Sequence, residues 1–181
     1  MITTLDFIEL SRWAGQRFDL IQANGGNISF KTEDDQMLIK ASEESMCAIS
    51  ATIGFATIDL APLRKGLSEL YKKQTELDKQ ELEFASARLL EKSKNTASRM
   101  QPPIDTFLHT HLETYGLHTH GIVVHTIGSR KNWRETFEQL FPESLCVAYK
   151  ASEIDLALEL DTQLDMYIKT NGKKKMITRV S

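Results

Sequence analysis

The sequence predicts a single three-layer α/β/α domain, with helices on both faces of a central, mixed and largely antiparallel sheet. Three observations predict it. Segments with helically spaced apolar residues interleave with short strands along the chain. Two early strands are joined by a short polar loop, a hairpin signal that makes the sheet antiparallel where it begins. The 181 residues, 41% hydrophobic and 26% charged, give one domain's worth of ordinary globular composition, with no repeat, linker or low-complexity segment.

Thr4 can cap a first helix that carries Phe7, Ile8, Leu10, Trp13 and Leu20 at near-helical spacing and ends before the turn signal Asn24-Gly25-Gly26. Strands are expected over 27–31 and 37–40, joined by the polar loop 32–36, and a third over 56–60. The leucine spacing of 63–71 suits a helix, with a strand as the alternative. Residues 76–92 are strong helix formers with Leu82, Phe84, Ala85 and Leu89 on one side. Pro102-Pro103 imposes an extended approach to a short helix over 104–113. A strand over 115–120 follows, then 121–127, which fits helix or strand. A helix over 132–140, a strand over 145–149, a helix over 153–167 and a last strand over 173–177 complete the pattern. Trp13 and Trp133 read as packing residues, and Lys173-Lys174-Lys175 as a solvated turn.

A net charge of −3 and the absence of a basic stripe with interleaved aromatics argue against a nucleic-acid partner. The first residues lack a signal peptide's basic start and apolar run, and no stretch reaches the roughly 18 apolar residues of a membrane span. Cys47 and Cys146 are isolated, so buried thiols in a reducing compartment are expected. The chain therefore reads as cytoplasmic.

All five histidines lie between positions 109 and 125, a concentration that asks for a chemical reason. His118 and His120 are the sharpest pair. On a strand, side chains at i and i+2 share a face roughly 6–7 Å apart, close enough for both imidazoles to hold one divalent ion such as zinc. The alternative is a pair of hydrogen-bonded strand histidines. His109 and His111, on a helix, would point to different faces, and His109 is expected to pack behind the site. Asp105 is the candidate general base, or else a helix N-terminal charge.

The run Gln101-Pro102-Pro103-Ile104-Asp105-Thr106-Phe107-Leu108-His109, followed by Tyr115-Gly116-Leu117-His118-Thr119-His120-Gly121, resembles the signature of the class II aldolase/adducin family. Upstream, Gly25-Gly26-Asn27-Ile28-Ser29-Phe30-Lys31 and Leu38-Ile39-Lys40-Ala41-Ser42 are similar to that family's Gly-Gly-Asn turn and its Ser-Gly loop, in family order. The resemblance covers about residues 5–165 and implies a class II aldolase-like fold. It further implies a metal-dependent lyase that cleaves a sugar phosphate through a zinc-stabilised enediolate. His118 and His120 would hold zinc, Asp105 would shuttle the proton, and Gly26, Asn27, Lys40 and Ser42 would hold the phosphate. It also implies a homo-oligomer, commonly a tetramer. The adducin head domain offers a non-catalytic alternative, and an epimerase or dehydratase would use the same enediolate.

Five departures from the pattern are visible. Asp105 replaces Glu and is one methylene shorter. Pro103 replaces a Ser and lacks its hydroxyl and N–H. Glu43 stands where a Gly is usual, and Gly121 where a Pro is usual. No histidine follows His125, so the family's third zinc ligand is missing: either the chain lacks the family's C-terminal part, or the ligand set differs, with His125, Asp105 or water completing it.

Overall fold

The computed structural model describes residues 4–142, 144–171 and 176–179. In chain order the elements are α1 (Thr4–Gly15), β1 (Asn27–Lys31), β2 (Gln36–Lys40), a 3₁₀ turn (Met46–Ala48) and β3 (Phe55–Asp59). Then come α2 (Leu60–Lys73), α3 (Lys79–Ser93), α4 (Thr106–Thr110), β4 (Tyr115–His118) and α5 (Ile122–Gly128). The last are α6 (Trp133–Leu140), β5 (Ser144–Val147), α7 (Glu153–Asn171) and β6 (Met176–Arg179).

Alternation decides the layers. Strands β3, β2, β1 and β4 lie side by side in that order, every neighbouring pair antiparallel. Met37, Ile39, Ala56 and Ile58 face one side, where they pack on Leu60, Leu63, Leu67 and Leu70 of α2, on Leu82 and Leu90 of α3, on Phe107, and on Ile154, Ala157 and Leu158 of α7. Ile28, Phe30, Leu38, Phe55 and Tyr115 serve the other side, against Phe7, Ile8 and Ala14 of α1 and Met46 of the 3₁₀ turn. Helices thus cover both faces, as expected. The parallel pair β5–β6 stands apart from the main sheet, so the strands form two sheets where one mixed sheet was expected.

Local chemistry explains where boundaries moved. The first helix stops at Gly15, short of Leu20. A Cβ on Gly15 would lie 2.8 Å from Cys47 Sγ and 2.9 Å from Met46 Cβ, so glycine lets the helix end lie on the 3₁₀ turn. Tight turns follow, with the N–H groups of Leu20 and Ile21 both donating to Arg17 O. The four leucines of α2, buried at spacings of three and four, resolve the 63–71 ambiguity in favour of helix. α3 begins at Lys79 because Asp78 and Glu81 form a reciprocal capping box.

Two expectations about surface residues fail. Trp13 is half exposed, with the Arg17 guanidinium over its ring, and Cys47 is exposed where a buried thiol was expected. Lys173–Lys175 fall outside the described residues. No described helix is long and apolar enough to cross a membrane.

Candidate active site

Residues 27, 29 and 31 alternate onto one face of β1, and each reaches the α4 segment. Asn27 Nδ2 donates to Asp105 Oδ2 at 2.6 Å, Ser29 Oγ lies 2.7 Å from His109 Nδ1, and Lys31 Nζ donates to Thr110 O at 2.8 Å and also to Leu112 O. β1 therefore acts as a comb that fixes the acid, the buried histidine and the end of α4 together. Gly116 faces Ser29 across the β1–β4 ladder. A Cβ there would lie 2.8 Å from both Ser29 Oγ and His109 Nδ1, so its absence leaves room for the imidazole.

His109 is 0% exposed. Burial, reinforced by the nearby His118 and Lys31 and only partly opposed by Asp105, lowers its pKa from 6.5 to about 3. It is neutral at physiological pH. Below pH 6.5 the unfolded chain takes up a proton that the folded chain refuses, so this group's contribution to stability is lost as pH falls from 6.5 toward 3. The expected slope is up to about 1.4 kcal/mol per pH unit. Urea unfolding between pH 7 and pH 4 checks it, and the slope should flatten by that amount in His109→Gln.

Asp105 occupies the N-cap position of α4 but makes no capping hydrogen bond. Its carboxylate turns instead to Asn27 and to His118, whose Nδ1 lies 3.4 Å from Oδ1. Burial pushes its pKa up, but pairing with His118 and the neighbouring His109 outweigh this, and the net shift is below the ordinary carboxylate range. The acid is ionised and can accept a proton.

β4 ends at His118, two residues before the expected strand end, so His120 is not a strand residue. Its N–H instead donates to Leu20 O at 2.8 Å, which holds it beside its partner. The His118 and His120 rings lie 5.0 Å apart at their centroids. α5 folds back directly after the pair and brings the ring of His125, one of the alternative third ligands offered by the sequence, within 5.8 Å of His120. His111 points elsewhere, with Nδ1 3.4 Å from Asp161 Oδ1 of α7.

The donor chemistry here suits a divalent ion. It comprises imidazoles and a carboxylate, and the buried His118 Nδ1 is met by Asp105 Oδ1 at 3.4 Å, a long contact that fails hydrogen-bond geometry. Among the described residues, no three His, Cys, Asp or Glu side chains are already gathered about one point.

Gly26, Asn27, Lys40 and Ser42 all line the same cavity. Lys40 is buried, and its Nζ faces three backbone carbonyls, Glu44 O at 2.8 Å, Asn24 O at 3.3 Å and Ala41 O at 3.5 Å. Burial lowers its pKa, against the opposing pull of Asp105 and Glu44. The Ser42 N–H donates to Gln101 O and the Gly25 N–H to Gln22 O. Glu43 adopts a left-handed conformation, φ +64°, so the residue that replaces the usual glycine bears that strain itself. Glu43→Gly should remove about 1–2 kcal/mol of strain and add about 0.5–1 kcal/mol of unfolded-chain entropy, a net stabilisation of about 0.5–1 kcal/mol. Urea denaturation measures it.

The cavity that gathers these groups has a volume of about 720 Å³. One wall is polar, built from the 24–27 turn, the 40–43 loop, Asp105 and His118, His120 and His125. Another is apolar and includes Leu108, Val147, Leu156 and Leu160, which also pack with one another.

No protein-family model and no curated protein matches the sequence. Among solved structures, the N-terminal class II aldolase domain of a conserved protein from Thermoplasma acidophilum superposes with a TM-score of 0.71. The match covers 90% of this chain and 76% of that one, at 24% identity. The chain has a class II aldolase fold. At that identity the likeness carries the fold alone. The class II aldolase fold explains why motifs 80 residues apart meet, because β1 and β4 are neighbours and α4 lies across them.

Proposed function

We propose that the protein is a metal-dependent lyase of the aldolase type, acting in the cytoplasm on a sugar phosphate or a related hydroxy-ketone. The observation that carries this reading is the Asp105 carboxylate. It is ionised, held by Asn27 and set beside His118 at the polar wall of a substrate-sized cavity. His118 and His120 are the residues that would hold a divalent ion, preferably zinc. Such an ion, when bound, supplies Lewis acidity that stabilises an enediolate.

The chain's own groups do the rest. In the cleavage direction the C4 hydroxyl loses its proton and the C3–C4 bond breaks, leaving its electron pair on the ketone fragment. An aldehyde departs, and C3 takes up a proton. Asp105 carries the proton at C3, with Asn27 fixing the carboxylate's orientation. Neutral His109 keeps α4 in place behind it through Ser29. Assembly into a homo-oligomer, up to a tetramer, belongs to the same reading, and Ile122 and Val123 are exposed beside the cavity on α5.

The test is exchange of the α-carbon hydrogens of dihydroxyacetone and of its phosphate in D₂O, followed by NMR with zinc-loaded protein. Exchange that a chelator stops supports the reading; no exchange with either compound overturns it. The lack of a preassembled three-ligand group among the described residues favours a second reading, a non-catalytic, adducin-like binding domain. An epimerase or dehydratase would exchange the same hydrogens and is separated by its products.

A further inference from the structure

On the reading that this cavity takes a hydroxy-ketone, we infer that the substrate is uncharged and carries an apolar substituent where a sugar phosphate would carry its phosphate. Four observations at the polar wall point this way, three removing a group that would bind a dianion and the fourth adding negative charge. The Lys40 ammonium, the one Lys or Arg among the described lining residues, is directed at the carbonyls of Asn24, Ala41 and Glu44, so its donors are engaged. The N–H groups of Gly25 and Ser42 are donated to Gln22 O and Gln101 O. Pro103 lines the cavity without an N–H or a hydroxyl to offer. Glu43 lines it with a carboxylate, and Asp105 adds a second.

A phosphate placed here would meet carboxylates and occupied donors, and its desolvation would go uncompensated. The apolar part of the lining offers a positive reason for an apolar group. Leu108, Val147, Leu156 and Leu160 form a continuous patch from α4, β5 and α7, and Leu112, Leu117, Val124 and Phe141 add further apolar lining. Such a wall rewards each buried methylene by about fourfold in affinity, whereas it gives a phosphate nothing.

The experiment uses the zinc-loaded protein and hydroxamates as enediolate mimics, with binding followed by calorimetry. The series acetohydroxamate, butanohydroxamate and hexanohydroxamate gives the methylene dependence, and glycolohydroxamate is compared with phosphoglycolohydroxamate. The expected result is affinity that rises about threefold to fourfold per added methylene. Phosphoglycolohydroxamate should bind no better than glycolohydroxamate, and inorganic phosphate should not compete. Preferential binding of phosphoglycolohydroxamate, or competition by phosphate, would overturn the inference while leaving the metal-dependent reading intact. If no hydroxamate binds, the metal-dependent reading falls and the inference falls with it. As a second measurement, Leu160→Asn should flatten the methylene dependence, read as the ratio of hexanohydroxamate to butanohydroxamate affinity in protein whose fold is checked by circular dichroism, and an unchanged ratio would contradict the placement of the apolar group.

Discussion

Asp105→Asn is expected to lower the exchange rate by about 10²–10⁴-fold, the range that a positioned general base contributes. The substitution keeps the side chain's shape, so a hydrogen bond with Asn27 survives by rotation of one amide, and the thermal midpoint should move little. What disappears is the proton acceptor. Measuring exchange and thermal unfolding on the same preparation separates the two effects. A rate within a few-fold of the parent would show that another group moves the proton. Asp105→Glu is informative in the other direction. It restores the reach of the longer acid, and rescue to or above the parental rate would mean that the shorter side chain limits turnover through its position.

Gly26→Ala should produce the largest loss of stability from a single methyl group. Gly26 sits at φ +70°, and an added Cβ would lie 2.4 Å from Ile21 Cδ1 and 2.7 Å from His118 O. The left-handed conformation costs an L-residue about 1–2 kcal/mol, and forcing a methyl group into a packed site about 1–3 kcal/mol more. A total of about 2–5 kcal/mol follows, read by urea denaturation. The second contact is with the backbone of His118, so relief of the clash displaces the candidate metal ligand as well. Gly25→Ala is the control, because Gly25 has no positive φ and its added Cβ would come no closer than 3.0 Å, to Gln22 O. A similar loss in both variants would contradict this account of the turn.

Most of the fold was legible because its signals are local. The β1–β2 hairpin, α3 and α7 follow from apolar period, capping residues and a polar loop. What was not legible depended on tertiary contact. Nothing in the spacing of Leu5 to Leu20 reveals that Gly15 must lie against Cys47 and Met46, so the first helix was read too long. The separation of β5 and β6 from the main sheet is likewise tertiary, with Val147 of β5 packed on Leu156, Leu160 and Leu164 of α7.

At the site, the sequence pointed to His118, His120 and Asp105 as candidate chemistry, and the fold brings all three to one cavity. The His109–Ser29 pair was only half visible, since His109 was expected to pack behind the site but its partner lies 80 positions away. A signal did exist, because Asn27, Ser29 and Lys31 form a polar row on an otherwise apolar strand, and such a row needs partners. The engagement of Lys40 was not readable at all. It depends on three backbone carbonyls whose directions follow from the turns at Asn24 and Glu43.

The central claim is that His118 and His120 hold a divalent ion at this cavity, and its most direct test is metal stoichiometry. Protein purified without added metal, and again after dialysis against excess zinc, is compared with the His118→Ala, His120→Ala double variant. The account predicts close to one zinc per chain in the parent after dialysis and loss of that zinc in the folded double variant. No zinc in the parent after dialysis, or equal zinc in both proteins, would contradict it.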